Sequence, residues 1–305
     1  MALGCDIMGV MQTRTHNTID RDAPQEELPV VVYTRDRFQR LGWRVWRLMF
    51  HDLVRSRGLI WRLFVRSWSA QYRQSWMGYV WAIVPPVVAA VAFSFAVRHR
   101  VLRVGPTPIP YVCYALWGMT VWQLFTGIYN SSSGVLKGAS QMISRINFPK
   151  DALVFASIGQ PLFTFLIRLV VVFLVFGFKG VMPGWTALLA PFALIPLVLI
   201  ALGMGMIMAV VSVAGSDIRR AFGAFLNFGM LLTPVIYPPP VSWPSAAVNV
   251  VNPLSPVLSV SHSLLQGAPI TTPVLYLAAW IFGLLMFGCG WRIFRMALPR
   301  IAERF

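Results

Sequence analysis

The chain has 305 residues, of which 57% are hydrophobic and 12% are charged, and its formal net charge is +16. Soluble domains carry about 25% charged residues, so this composition excludes an ordinary soluble enzyme and predicts an all-α, polytopic membrane protein. Because the cations flank apolar runs, they indicate membrane topology and contact with anionic membrane lipids. We do not expect nucleic acid as a partner.

The first 73 residues differ in character from the rest of the chain. Residues 1–40 are polar and mixed in charge, which predicts a disordered cytosolic tail rather than a signal peptide. Residues 41–73 carry apolar, tryptophan-bearing faces and arginine-rich faces at helical spacing, with an interruption at Gly58. This pattern is typical of amphipathic helices on a membrane surface. The alternative is a helix packed on a soluble partner.

Residues 74–295 contain uncharged runs that predict six membrane-spanning helices. The predicted spans cover about residues 74–97, 111–130, 151–179, 187–213, 219–237 and 274–294. No residue between Arg220 and Arg292 is charged, but the prolines from Pro238 to Pro273 exclude one continuous helix there. Short re-entrant or surface helices are therefore predicted between spans five and six.

The distribution of lysine and arginine predicts that both termini are cytosolic. With the N-terminus inside, most of the 26 Lys and Arg residues fall on the cytosolic side, including those of the C-terminal tail at residues 296–305. The arginines Arg98, Arg100 and Arg103 fall outside, against the rule. They leave open a contact of the outer loop with anionic lipid or with an anionic substrate.

The sequence offers no chemistry of its own for catalysis or for energising transport. Its three cysteines lack CxxC spacing and its four histidines are scattered, so we predict no disulfide framework and no metal site. No lysine lies in a P-loop motif, and the spans contain Arg168 but no interior carboxylate. We therefore expect no enzyme activity and no cofactor, with ATP bound by a separate ATPase chain.

Four segments of the chain resemble one family of transport proteins. They are residues 59–62 and 72–78 continuing to Trp81 and Pro85, residues 146–153, residues 216–219 with 232–238, and residues 252–256. Through these segments the chain resembles the membrane subunit of ABC-2-type bacterial exporters, in the branch that moves lipid-linked polysaccharides. Three positions depart from the family pattern, namely Ser67, Ser216 and His262.

The resemblance implies a permease of the bacterial inner membrane that dimerises and docks two copies of an ATPase. The polymer, a glycan of the O-antigen, capsule or teichoic-acid type, would pass between the two six-helix bundles, and the short helices would gate the outer side. The implied coupling residues are Arg145, Phe148, Pro149, Lys150 and Asp151. The implied interface and inner-mouth residues are Arg66, Tyr72, Arg73, Trp76, Tyr79 and Trp81.

Aromatic residues in spans two and five are candidates for a glycan path, because aromatic faces stack on sugar rings. They are Trp117, Trp122, Phe125, Tyr129, Phe222, Phe225 and Phe228. The alternative is that they are interfacial anchors or core residues. Arg168 is costly within a span, so it either contacts a pyrophosphate lipid head group or joins helices.

Other functions are less consistent with the sequence. A drug or small-lipid efflux permease of the same family usually lacks the first of the four segments. A membrane-embedded enzyme or scaffold would be favoured by an intramembrane acid or histidine pair, and none is found in the sequence. A passive channel is a weaker alternative.

Overall fold

A computed structural model describes residues 43–73, 78–101, 104–138, 150–240 and 246–302. Within these ranges the chain forms helices and no β-strand, which confirms the predicted all-α class. The α-helices are α1 (Trp43–Arg55), α2 (Arg57–Arg73), α3 (Gly78–Arg98), α4 (Tyr111–Gly138), α5 (Asp151–Ser157), α6 (Gly159–Phe178), α7 (Ile195–Ala214), α8 (Ser216–Leu232), α9 (Ala247–Val251), α10 (Leu254–Gln266) and α11 (Pro273–Ala302).

The two amphipathic helices are separated at Ser56, and not at Gly58 as predicted. The Ser56 hydroxyl donates a hydrogen bond of 2.8 Å to the carbonyl oxygen of Asp52, one turn earlier in α1. A serine that bonds to the preceding turn competes with regular helix geometry. Gly58 lies inside the first turn of α2, where a side chain would meet open space.

The structure tests the predicted spans by length and composition. Within the described ranges, three helical stretches are long and apolar enough to cross a membrane, namely Asp151–Phe178, Trp185–Ala214 and Pro273–Pro299. Ile83–Arg98 is a shorter apolar helix. The multi-pass character therefore has structural support, while the count of six spans stays a prediction.

Several helices do not match the predicted span boundaries: α4 extends to Gly138 instead of residue 130, α11 extends to Ala302 instead of residue 294, and two other boundaries differ at a proline. The α-helical part of the fourth span begins at Ile195 instead of residue 187, because Trp185–Leu189 and Phe192–Leu194 form 3-10 helices on either side of Pro191. The fifth span ends at Leu232 instead of residue 237. Thr233 has extended backbone angles, as expected for a residue that precedes a proline.

The short helices predicted between spans five and six are present as α9 and α10. The longer of them, α10, is buried along most of its length against α4, α11 and the 3-10 segments. It ends at Gly267, whose φ of 68° is the left-handed conformation that glycine adopts without strain.

Helix α7 packs between α4 and α11. Small residues let both neighbours approach it closely. A Cβ atom added to Gly203 would collide with the backbone of Met286 in α11. A Cβ atom on Gly205 would collide with Ser132 in α4, and one on Gly290 would collide with the backbone of Gly203. Close approach of small residues is the usual way in which helices associate in lipid.

We expect Gly203→Ala to destabilise the bundle, because its methyl group has no room beside the α11 backbone. Overpacking of this kind costs about 1–3 kcal/mol, and the apparent Tm in detergent should fall by roughly 3–8 °C. Gly177→Ala in α6 is the matched control, since nothing lies within 4 Å of its added Cβ atom. Equal Tm values for the two variants would contradict the packing.

Candidate functional site

The segment that resembles the coupling motif places two neighbouring charges in different environments. Lys150 is half-buried in the turn before α5, and burial lowers the pKa of its amine. Asp151 begins α5 and is only 4% exposed. The resemblance implies that both are coupling residues, which requires them to be open to the ATPase. For Asp151 this is wrong, because its buried carboxylate accepts a hydrogen bond from the Arg295 guanidinium.

Arg295 of α11 connects three helices through one guanidinium group. Its Nε donates to the Asp151 carboxylate of α5, and its Nη1 lies 3.2 Å from Oδ2 of Asp52 in α1. Its Nη2 donates to the carbonyl oxygen of Met49 at 3.5 Å. The Arg295 side chain is 9% exposed and that of Asp52 is 35% exposed. We call Arg295, Asp151, Asp52 and Trp291 the Arg295 cluster.

Aromatic rings enclose the Arg295 cluster. Cζ of Arg295 lies 5.8 Å from the centre of the Trp291 ring, within the range of a cation–π contact. Trp291 packs edge-on against Trp46 of α1 and Phe155 of α5, at centroid distances of 6.3 and 5.6 Å. Removing either partner of a pair this well enclosed costs more than removing an exposed one, because the remaining charge stays desolvated.

Helix α2 contacts the other end of α5. The ring of Phe64 fills the space where a Cβ atom of Gly159 would lie, at the junction between α5 and α6. One turn further along each helix, Trp68 packs edge-on against Phe163 at a centroid distance of 5.2 Å. The start of α5 is thus held by Arg295 of α11, which also bonds Asp52 of α1, and its end is held by Phe64 of α2.

At the C-terminal end of α8, residues 232–238 meet residues 252–256, two of the segments that resemble the exporter family. The Asn252 amide donates a hydrogen bond of 2.8 Å to the Thr233 hydroxyl. The side-chain oxygen of Asn252 accepts a hydrogen bond of 3.0 Å from the backbone amide of Leu254. Asn252 therefore links the turn after α8 to the start of α10. We call the Thr233–Asn252 contact the motif junction.

The same turn packs on the first half of α4. Gly118 admits the carbonyl group of Val235, where any Cβ atom would collide. The hydroxyl of Tyr111 donates to the carbonyl oxygen of Ile236 at 2.8 Å, and that of Tyr114 donates to the carbonyl oxygen of Tyr237 at 3.1 Å. These bonds satisfy turn carbonyls that no helix would satisfy.

His262 is buried in α10 and stacks on Tyr114, with ring centroids 4.0 Å apart and an interplanar angle of 11°. Within the described part of the chain, neither ring nitrogen has a hydrogen-bond partner. Burial lowers the pKa of His262 to about 3. The imidazole is therefore neutral at physiological pH.

The predicted glycan-path residues divide into buried, partly buried and exposed ones. Four are buried inside the protomer, in α4, where they pack in the core: Trp117, Trp122, Phe125 and Tyr129. Phe222 of α8 is partly buried against Tyr129, at a centroid distance of 5.4 Å. Phe225 and Phe228 are 58% and 68% exposed on α8. A polymer at the protomer surface would meet these two rings, and the path itself stays a prediction.

The remaining predicted site residues are placed as follows. Arg168 lies near the middle of α6 and is half-buried, which is compatible with both of its proposed roles. Arg66 is exposed on α2. Tyr72 and Arg73 belong to α2, and Tyr79 and Trp81 belong to α3. The predicted residues outside the described ranges are Trp76, Arg145, Phe148 and Pro149.

Sequence reasoning missed the Arg295 cluster, although a signal was present. Asp52 and Asp151 are the only acidic residues between Asp36 and Asp217. Two isolated acids beside apolar helices require partners if they are buried. By sequence alone, Arg295 is one of the cations near the end of the last span that favour a cytosolic C-terminus. Nothing in the sequence paired it with either acid.

Comparison with known proteins gives a consistent assignment. A family model described as ABC-2 type transporter matches residues 58–266. The chain is 22% identical over 219 residues to the O-antigen export system permease protein RfbA of Myxococcus xanthus, covering 70% of this chain and 82% of the relative. It is 25% identical over 246 residues to the protein of the same name from Klebsiella pneumoniae, covering 76% of this chain and 89% of the relative.

We expect acid to destabilise the protein through His262. The histidine of the unfolded chain has a pKa near 6.5 and binds a proton as the pH falls, whereas the buried imidazole does not. Stability is therefore lost below pH 6.5, by about 2 kcal/mol at pH 5 relative to pH 7. Thermal unfolding of wild type and of His262→Phe at pH 5 and at pH 7 measures how much of the acid destabilisation comes from His262. Identical pH dependence in the two proteins would contradict it.

We expect a measurable coupling energy between Thr233 and Asn252, the two residues of the motif junction. Thr233→Val and Asn252→Ala each remove the shared hydrogen bond, so the double variant should lose about 0.5–1.5 kcal/mol less than the sum of the single variants. Thermal or denaturant unfolding of all four proteins gives this value. Thr126→Val is the control, because its hydroxyl bonds within α4, and it should show no coupling to Asn252→Ala.

Proposed function

The chain belongs to the ABC-2 type transporter family, and on this premise we propose that it is the membrane-spanning permease of an ATP-driven exporter of a lipid-linked polysaccharide. Both relatives described above are named as O-antigen export permeases, and the alignments cover 82% and 89% of their lengths. This near full-length match is the observation that carries the proposal. The cargo would be a glycan of the O-antigen, capsule or teichoic-acid type.

The energy would come from two copies of a separate ATPase subunit. The sequence contains no P-loop lysine from which this chain could bind ATP in that manner. The docking site would be the coupling segment between α4 and α5, which includes Arg145, Phe148, Pro149 and Lys150. Asp151 would anchor that segment inside the permease instead of contacting the ATPase.

A second copy of the chain would complete the path. The exposed side of α8 carries Phe225, Phe228 and Leu231, and the last of these is 57% exposed. In a homodimer with six spans per chain and both termini cytosolic, two such faces would enclose a passage lined by aromatic rings. Aromatic faces bind sugar rings weakly and without a fixed register, which suits a sliding polymer.

The proposal is tested by deleting the gene and complementing it in the source bacterium. We expect the deletion strain to lose its surface glycan and to accumulate lipid-linked glycan at the inner membrane. Phe225→Ala with Phe228→Ala should lower surface glycan several-fold at an unchanged protein level. Leu166→Ala with Leu174→Ala, at exposed positions of α6, is the matched control. Normal surface glycan in the deletion strain would refute the proposal.

A further inference from the structure

Arg295 bonds the residue that directly follows Lys150, so a movement of the coupling segment would reach α11 through this bond. The chain becomes helical at Asp151, directly after the turn at Lys150, and the first helical side chain is bonded to Arg295. We propose that Arg295 is a positioning residue that makes α1, α5 and α11 move as one unit when the ATPase displaces the coupling segment. The inference rests on the proposed function, since it takes the coupling segment between α4 and α5 as the ATPase contact.

The geometry of the guanidinium group suits this role. Its nitrogens donate in three directions, to Asp151, to Asp52 and to the carbonyl oxygen of Met49. A lysine ammonium is a compact charge and does not reproduce the planar fork of donors. Because two carboxyl groups share one cation, loss of Arg295 would leave both acids without their donor, and α1 and α5 would lose the group that joins them.

Helix α5 is also too short to absorb a displacement by itself. Its 7 residues rise about 10 Å, and they are fixed at the start by Asp151 and directly after the end by the contact of Gly159 with Phe64. A shift of Lys150 therefore either breaks the Arg295 bonds or carries α1, α2 and α11 along. Well-packed elements of this kind transmit small shifts because they do not deform gradually.

Other roles of Arg295 fit the structure less well. A cytosolic arginine near the end of a last span often binds lipid phosphates. The Arg295 side chain is only 9% exposed, and its donors are directed at protein oxygens. A role in topology alone would not require two acids from distant helices.

The test uses the intact complex of the permease with its co-expressed ATPase in nanodiscs, together with surface glycan in cells. Arg295→Met should lower glycan export at least tenfold while ATP hydrolysis stays within about threefold of wild type. Arg295→Lys and Asp151→Asn should give glycan export between that of Arg295→Met and that of wild type. Arg292→Met removes the same charge one turn earlier in α11, and its ratio of export to hydrolysis should match that of wild type.

Hydrogen exchange of the same complexes tests the mechanical link without any transport. Backbone amides of α1 and α5 should exchange about tenfold faster in Arg295→Met than in Arg292→Met, while those of α3 stay unchanged. Equal exchange and equal export-to-hydrolysis ratios in these two variants would overturn the proposal. So would a proportional loss of export and hydrolysis in Arg295→Lys and Asp151→Asn, since that indicates a purely structural role.

The two proposals fail in different ways. If wild-type cells export no glycan through this protein but α1 and α5 still loosen in Arg295→Met, the proposed cargo is wrong and the link between the three helices stands. If wild-type cells export glycan and Arg295→Met is indistinguishable from Arg292→Met, the proposed cargo stands and the role of Arg295 is wrong.

Discussion

The close approach of α7 to α4 and α11 is the constraint on which the other contacts depend. In lipid the hydrophobic effect does not press helices together, so packing must come from shape. Gly203 and Gly290 bring the backbones of α7 and α11 together, and Gly205 makes room for the Ser132 side chain of α4. With α4, α7 and α11 fixed in this way, α11 presents Arg295 at one end and α4 presents Tyr111 and Tyr114 at the other.

Two polar contacts hold the two ends of this apolar bundle. One end is held by ions, with Arg295 between Asp52 and Asp151. The other end is held by neutral hydrogen bonds, with Thr233 and Asn252 at the motif junction. Ion pairs are strong when enclosed and costly when broken, whereas a neutral hydrogen bond contributes only about 1 kcal/mol. The end that carries the motif junction is thus held by the contact that costs less to break.

Much of the fold follows from the sequence because lipid imposes simple rules. Uncharged length predicted the apolar helices at Asp151–Phe178 and Pro273–Pro299, and the prolines after Tyr237 predicted the short α9 and α10. What could not be predicted depends on contacts between distant residues. The burial of Asp151 requires Arg295, and the burial of Trp117 requires its partner Ser261 in α10, to which its indole donates at 3.1 Å. Neither pairing has a local signal.

Helix α8 contains 17 residues, which rise about 26 Å, against a hydrocarbon core of about 30 Å. The irregular turn that follows has carbonyl oxygens that no helix satisfies. Tyr111, Tyr114 and Tyr237 supply those donors from within the protein, the last to the carbonyl oxygen of Leu231 at 2.9 Å. The three phenol groups thus replace the backbone donors that a straight helix would have supplied, and they allow the chain to bend directly after α8.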